Sequence, residues 1–269
     1  MIDVQSLRDD RNVPLAKVGV KDLEYPIRVL DKVKKVQYTT AKVDLFADLP
    51  QHFKGTHMSR FIEIFHGYRE DISMPQFLDM LATIRRDLEA DSAFGSVCFP
   101  YFLEKKAPVS GMAGMMSYQC CYRGKVYEGG THFTVSVSVP VTTVCPCSKA
   151  ISERGAHNQR GIVTVELELG PFFWLEDIIE VVEGAASSPV YSLLKREDEK
   201  YITEHAYDNP KFVEDVVRDV YVTIKDLRRF PRFSVEAENF ESIHNHSAFA
   251  FAQYNSEEDE SGNFEKQQC

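Results

Sequence analysis

The stretch from Thr131 to Gly170, THFTVSVSVPVTTVCPCSKAISERGAHNQRGIVTVELELG, is the part of the chain whose reading decides the fold. Apolar and polar residues alternate strictly from Thr134 to Val139, the period of a strand with one buried face, and IVTVELELG (162–170) is strand-like again. Between them one loop gathers Cys145, Cys147, Arg154, His157 and Arg160, in a chain with only six cysteines and eight histidines. Two strands joined by a chemically loaded loop are the centre from which the rest is read.

The text on either side repeats one grammar. IRVLDKVKKVQYTTAKVDLFADLP (27–50) is rich in β-branched residues and sets Val43, Leu45 and Ala47 against Asp44, Phe46 and Asp48, which predicts long strands. Residues 1–25 carry no clear period and read as an N-terminal arm. SRFIEIFHGYR (59–69) predicts a short helix. In the next, Ser73 and Gln76 have capping-box spacing, and Phe77, Leu81, Ile84 and Leu88 share one helical face. Strand-like text resumes from Ala93 and runs to a turn at Gly129 and Gly130.

After the central pair come two helical patterns, 171–185 and 188–206. A third follows Asn209 and Pro210, read as cap and first turn ahead of the stripe Phe212, Val213, Val216, Val217, Val220, Tyr221 and Ile224. PRFSVEAENFESIHNHSAFAFAQY (231–254) closes the chain, strand-like on both sides of a histidine pair. The order strand, strand, helices, strand, strand thus occurs twice. It predicts an α+β fold of antiparallel sheets with helices on one face, in two tandem modules, 26–128 and 129–254. The acidic, apolar-poor residues 255–269 read as a disordered tail.

Composition narrows the function classes. A chain of 269 residues with 43% hydrophobic content can bury a core without staples. Its net charge of −10 argues against nucleic acid as the main partner, because phosphate-backbone binding needs clustered cations. No apolar run approaches a membrane span and no secretory layout opens the sequence, so a cytoplasmic enzyme without a membrane partner is expected. The cysteines at 98, 120, 121, 145, 147 and 269 show no disulfide spacing, and free thiols in a reducing compartment are the expectation.

Thiolate and imidazole are ligands that zinc-like ions prefer, and a catalytic site needs three protein ligands with one position left for water. Cys145, Cys147 and His157 fit that need without forming a zinc-finger pattern; the alternative is two small buried cysteines beside a hydrogen-bonded loop histidine. His244 and His246 follow Glu238 and Glu241, any of which suits a ligand, base or supporting role. The charge run around Glu199 reads by itself as a solvated helix face, and Glu214 as an exposed partner of Arg218. Lys54, His57 and Arg60 flank a glycine ahead of a helix, a weak phosphate-binding pattern.

Together, HFKGTHMSRF (52–61), VCPCSKAIS (144–152), GAHNQR (155–160), LLKREDE (193–199) and NFESIHNHSAFA (239–250) resemble the type IB GTP cyclohydrolases in order and spacing, over about residues 10 to 254. The resemblance implies a bimodular tunnelling fold (T-fold) whose barrel is completed by oligomerisation. It also implies a homotetramer with active sites between subunits, and hydrolysis of GTP to 7,8-dihydroneopterin triphosphate and formate, the opening step of folate biosynthesis. The metal ligands it implies are Cys145, His157 and Glu199, for a divalent zinc, manganese or iron ion. His244 stands as ligand or proton carrier, Cys147 as a second functional cysteine, and Glu214 as a buried anchor for the guanine edge. Lys54, Arg60 and Arg160 are the triphosphate contacts read beside it. Arg154, where an aromatic residue is expected, and Gly161, where a serine is commoner, depart from the pattern without removing a ligand. The competing readings are a 7-deazaguanine nitrile reductase on the same fold, which needs no metal, and a non-catalytic purine- or pterin-binding protein.

Overall fold

Period-two burial organises the molecule as the sequence requires. The computed structural model describes Gln5, residues 8–168, Gly170 and residues 172–257; the predicted tail lies for the most part outside these. In chain order the elements are β1 (Leu15–Asp31), β2 (Lys35–Leu49), α1 (Met58–Tyr68), α2 (Met74–Asp87), β3 (Ser92–Lys106), β4 (Ala113–Tyr127) and β5 (Gly130–Val144). They continue with α3 (Pro146–Ile151), β6 (Asn158–Glu168), α4 (Leu175–Ala185), β7 (Ser188–Pro189), α5 (Arg196–Asp208), α6 (Val213–Asp226), β8 (Arg232–Asn239) and β9 (Ala248–Asn255).

The chain divides into two compact units, 1–100 with 120–135, and 101–119 with 136–269. β3, β4 and β5 are long enough for each to contribute residues to both units. In the first unit β1, β2, β3, β4 and β5 lie in sequence order, with β1 to β2 and β2 to β3 antiparallel. Ala41, Val43, Leu45 and Ala47 of β2 are buried, as their alternation predicts. Phe77 and Leu81 of α2 press so close on β3 that a Cβ at Gly95 would stand 2.9 Å from Leu81 and 3.2 Å from Phe77. That contact is what seats the helix on the sheet.

Several local expectations give way to tertiary context. β1 starts at Leu15, inside the stretch read as an arm. Its irregular pairing between Leu15 and Val18 and between Val20 and Leu23 breaks the period, and Asp22 takes a positive φ of 57°, so no alternation was visible. Ser73 occupies the N-cap of α2 without a side-chain capping bond. Cys98 and Cys121, on the neighbouring strands β3 and β4, form a disulfide, which corrects the expectation that these thiols are free. Strand adjacency, invisible in a spacing of 23 residues, is the reason.

In the second unit the strand order continues through β5, β6, β8 and β9, with β7 paired to β5. β6 to β8 and β8 to β9 are antiparallel. The side-chain pair Ser138–Thr164 and the pair Thr143–Gln159 advance in opposite directions along β5 and β6, so these strands are antiparallel as well. Val216, Val217, Val220 and Ile224 of α6 are buried, each contributing about 1.5–3 kcal/mol if fully removed from water. The start of α6 differs from expectation: Asn209 is the C-cap of α5, and Lys211 N–H donates to Val144 O at 3.0 Å. Residues 210–212 are therefore held to the end of β5, and the Asp215 carboxylate caps the Phe212 N–H at 3.0 Å. Of the helical pattern over 188–206, only the part from Arg196 is helical.

Two buried polar clusters tie this unit together. Asp198 of α5 is fully buried and accepts from Val109 N, Ser110 N, Ser110 Oγ and Lys195 N at 2.7–2.9 Å. Burial alone would raise its pKa, but these four bonds outweigh that and hold the carboxyl well below its ordinary value of 3.8. Lys105 pairs with Glu183 at 2.7 Å, and Tyr118 Oη donates to the same carboxylate at 2.8 Å. Burial pushes the Lys105 pKa down and the Tyr118 pKa up, so both groups depend on Glu183.

Replacing Glu183 with alanine leaves the mostly buried Lys105 ammonium without its counter-charge, with only Val190 O and the Tyr191 ring beside it, and is expected to cost about 3 kcal/mol in urea unfolding at fixed protein concentration. For Asp198 the sign follows from its depressed pKa: the stability it contributes is complete above the unfolded value of 3.8, starts to fall below it, and is lost only as pH drops through the much lower folded value. The gap in thermal midpoint between wild type and Asp198→Asn should therefore be widest near neutral pH and close in acid.

Candidate active site

The loop that carries Cys145 and His157 is folded by its own hydrogen bonds. Cys145 leaves β5 with extended backbone, φ −68° and ψ 118°, and Pro146 pre-sets the first turn of α3, a short helix the sequence did not announce. Cys145 Sγ accepts the Ser148 N–H at 3.4 Å. Gly155, at φ +134°, turns the chain back, so that Cys145 N–H donates to His157 O at 3.1 Å and His157 N–H to Ser148 Oγ at 3.2 Å. The sequence separation of twelve residues is thereby reduced to one backbone hydrogen bond.

The imidazole of His157 is fixed from behind. Its Nδ1 lies 2.9 Å from Gln159 Oε1, and Gln159 Nε2 donates to Thr143 Oγ1 at 2.9 Å. Glu241 Oε2 stands further from Nδ1, at 3.8 Å.

A cleft of about 280 Å³ opens over these groups. Of the residues singled out in the sequence, Cys145, His157, Glu214 and His244 all line it. Glu241 and His246 join them, and the His244 and His246 rings stack at 5.1 Å in the β8–β9 connection, not along a strand. Lys211 is its one lining lysine or arginine, and its ammonium is already paired with Asp219 at 2.7 Å. Two carboxylates, three imidazoles and a thiol with so little positive charge form a surface that suits a cation and hydrogen-bond donors.

Other expected residues lie elsewhere. Glu199 is exposed on the first turn of α5 and does not line the cleft, nor does the exposed Cys147 on α3. Arg160 and Lys54 are exposed and also absent from its lining. Arg60 lines a separate cavity of the first unit with His57 and donates to Asp87 O at 2.9 Å. Glu214 is exposed in the single chain instead of buried, and Arg218 pairs with Asp215, not with Glu214. Among the described residues no group of three His, Cys, Asp or Glu side chains converges to hold a metal ion. The donor chemistry of Cys145 and His157 fits such an ion; the number of donors that one chain brings together does not complete the set.

Comparison with known proteins follows the same lines. A family described as "Type I GTP cyclohydrolase folE2" matches residues 1–250. The chain belongs to that family. It is 55% identical over 250 residues to a GTP cyclohydrolase FolE2 from Geotalea uraniireducens, covering 93% of this chain and 92% of the relative. With the protein of the same description from Syntrophus aciditrophicus it shares 54% over 253 residues, 94% and 99% of the two chains. Among solved structures, the uricase from Arthrobacter globiformis aligns with a TM-score of 0.50 at 7% identity, over 89% of this chain and 93% of that one. The uricase from Bacillus fastidious aligns at 0.50 and 8%, over 90% and 93%. At such identity the likeness concerns fold alone, and the fold is the tunnelling fold of antiparallel sheet with helices on one face.

Within this family's frame, two site residues went unrecognised in the sequence. Gln159 sits inside GAHNQR as one more polar residue of the loop, and its period-two position after the histidine was the only available signal. Lys211 was hidden because residues 210–212 read as the start of a helix. No helix among the described residues is long and apolar enough to cross a membrane.

Proposed function

We propose that this chain is a metal-dependent GTP cyclohydrolase that converts GTP to 7,8-dihydroneopterin triphosphate with release of formate, at the entry to tetrahydrofolate synthesis. The observation that carries the reading is the meeting of Cys145 and His157 from one loop, His244 from the β8–β9 connection and Glu214 from α6 in one cleft. Cys145 and His157 would hold a divalent zinc, manganese or iron ion, and such an ion, when bound, supplies the acidity that makes water a nucleophile near neutral pH.

The chain's own groups do the rest. The Glu214 carboxylate can accept from guanine N1–H and the 2-amino group together, a pairing adenine cannot offer. His244 would deliver a proton to the imidazole nitrogen of the purine as its ring opens, or join the ligands. Lys54, Arg60 and Arg160 are read as contacts of the triphosphate, and Cys147 as a second thiol of the site.

Glu199, exposed on α5, is assigned to the site of a neighbouring copy, which also explains why Glu214 is exposed in one chain. The assembly in this reading is a cytoplasmic homotetramer of tandem modules, 26–128 and 129–254, with no nucleic-acid or membrane partner. Symmetric copies complete one another's sites when each carries a part that the other lacks.

Cys145→Ala and Glu199→Ala should each abolish metal retention and formate release. When the two inactive variants are dissociated, mixed and reassembled, about a quarter of the wild-type rate should return, since that share of sites draws an intact residue from each partner. No recovery would place Glu199 outside the shared site. Glu214→Ala is expected to keep its metal while kcat/KM for GTP falls by at least about 100-fold, the loss expected when a bidentate charged contact is removed; unaltered kinetics would remove Glu214 from guanine recognition.

A further inference from the structure

We infer that Gln159, held beside the ring by Thr143, is a positioning residue that sets the tautomer of His157 and thereby makes its Nε2 a metal-binding atom. The inference rests on the reading of His157 as a ligand and adds what that reading lacks, a cause for the ring being ready to bind. A neutral imidazole carries one proton on either nitrogen, and only the nitrogen without it can coordinate. The hydrogen bond made by the other nitrogen decides which.

Gln159 is 6% exposed and Thr143 fully buried, on the adjacent strands β6 and β5. Gln159 Oε1 stands 2.9 Å from His157 Nδ1, within hydrogen-bond range, whereas the nearest carboxylate oxygen, Glu241 Oε2, is at 3.8 Å and outside it. An amide oxygen can only accept, so Nδ1 must carry the hydrogen and Nε2 the lone pair. An amide could also turn over and present its NH₂ to Nδ1, which would drive the proton to Nε2 and close the ring to metal. Here the amide oxygen faces Nδ1 and Gln159 Nε2 lies 2.9 Å from Thr143 Oγ1, so both ends of the amide are hydrogen-bonded and the side chain is held beside the ring. Because the partner is an amide and not a carboxylate, the ring is oriented without adding a charge to a cleft that already contains Glu214 and Glu241.

The test uses the full-length protein in its native oligomeric state, with Zn²⁺ affinity measured by chelator competition. Gln159→Leu should weaken Zn²⁺ binding by about 10- to 100-fold, the range typical of lost supporting contacts. Thr143→Val, nearly isosteric, should weaken it several-fold, and Gln159→Glu, which restores an acceptor, should return it close to wild type. In the metal-free protein, ¹⁵N spectra of labelled histidine should show His157 protonated at Nδ1, and this signature should become mixed in Gln159→Leu.

Wild-type protein with the proton on Nε2 would overturn the inference. So would a folded Gln159→Leu variant with unaltered affinity; if that variant fails to fold, unaltered affinity in Thr143→Val together with an unchanged tautomer overturns it instead. His157→Ala separates the two levels. If that variant keeps full Zn²⁺ affinity, the ligand reading itself fails; if it loses the metal while the Gln159 and Thr143 variants do not, only the positioning role fails.

Discussion

The antiparallel pairing of β5 with β6 is the constraint on which the site depends. Opposed strands bring residues into register by a constant sum of positions, and Ser138 with Thr164, Thr143 with Gln159, and Cys145 with His157 all obey the same register. The thiol and the imidazole are thus delivered to the same end of two strands by the ladder itself. The short helix α3 and the turn at Gly155 only have to close the gap, and Ser148 does so by giving a backbone N–H to Cys145 Sγ and accepting one from His157. Side chains set at the end of a strand ladder are held more rigidly than ones placed far out in a loop.

Around this pair the other groups arrive from elements with independent reasons for their position. Phe212 N–H is capped by Asp215, and Lys211 is tied to the end of β5, so the first turn of α6 places Glu214 at the cleft instead of leaving it on an outer helix face. The histidine pair comes from the connection between β8 and β9, whose strands are paired along their full length from Arg232 with Asn255 to Asn239 with Ala248. Asp198, one residue before Glu199, is buried by bonds to the turn at Val109 and Ser110, which fixes the start of α5 and turns its neighbour outward. The same helix turn therefore contains one residue buried in its own chain and one that is exposed.

How much was legible in the sequence depended on whether the signal was local. The alternation over Thr134–Val139, the stripe on α6 and the double run of strands and helices were readable because periodicity is a property of neighbouring residues. Cys145, His157, His244 and Glu214 were readable as a group only through the order of their motifs; spacing alone left Cys145 and His157 as one choice among several. The strand character of Leu15–Tyr25 was lost to the irregular pairing around Asp22, and Asn209 was assigned to the wrong helix because a cap before proline looks the same whether it ends one helix or begins the next.

By itself, then, the sequence determined the antiparallel α+β plan, the chemically loaded loop between two strands and the residue types gathered in the proposed site, all of them encoded in short-range pattern. Only the tertiary structure decided that Cys98 and Cys121 are bonded, that Gln159 and Thr143 stand behind His157, and that Glu199 is exposed and does not line the cleft. Those outcomes depend on which strands become neighbours and which face of a helix is buried, and such relations arise from packing across tens of residues, where no local period records them.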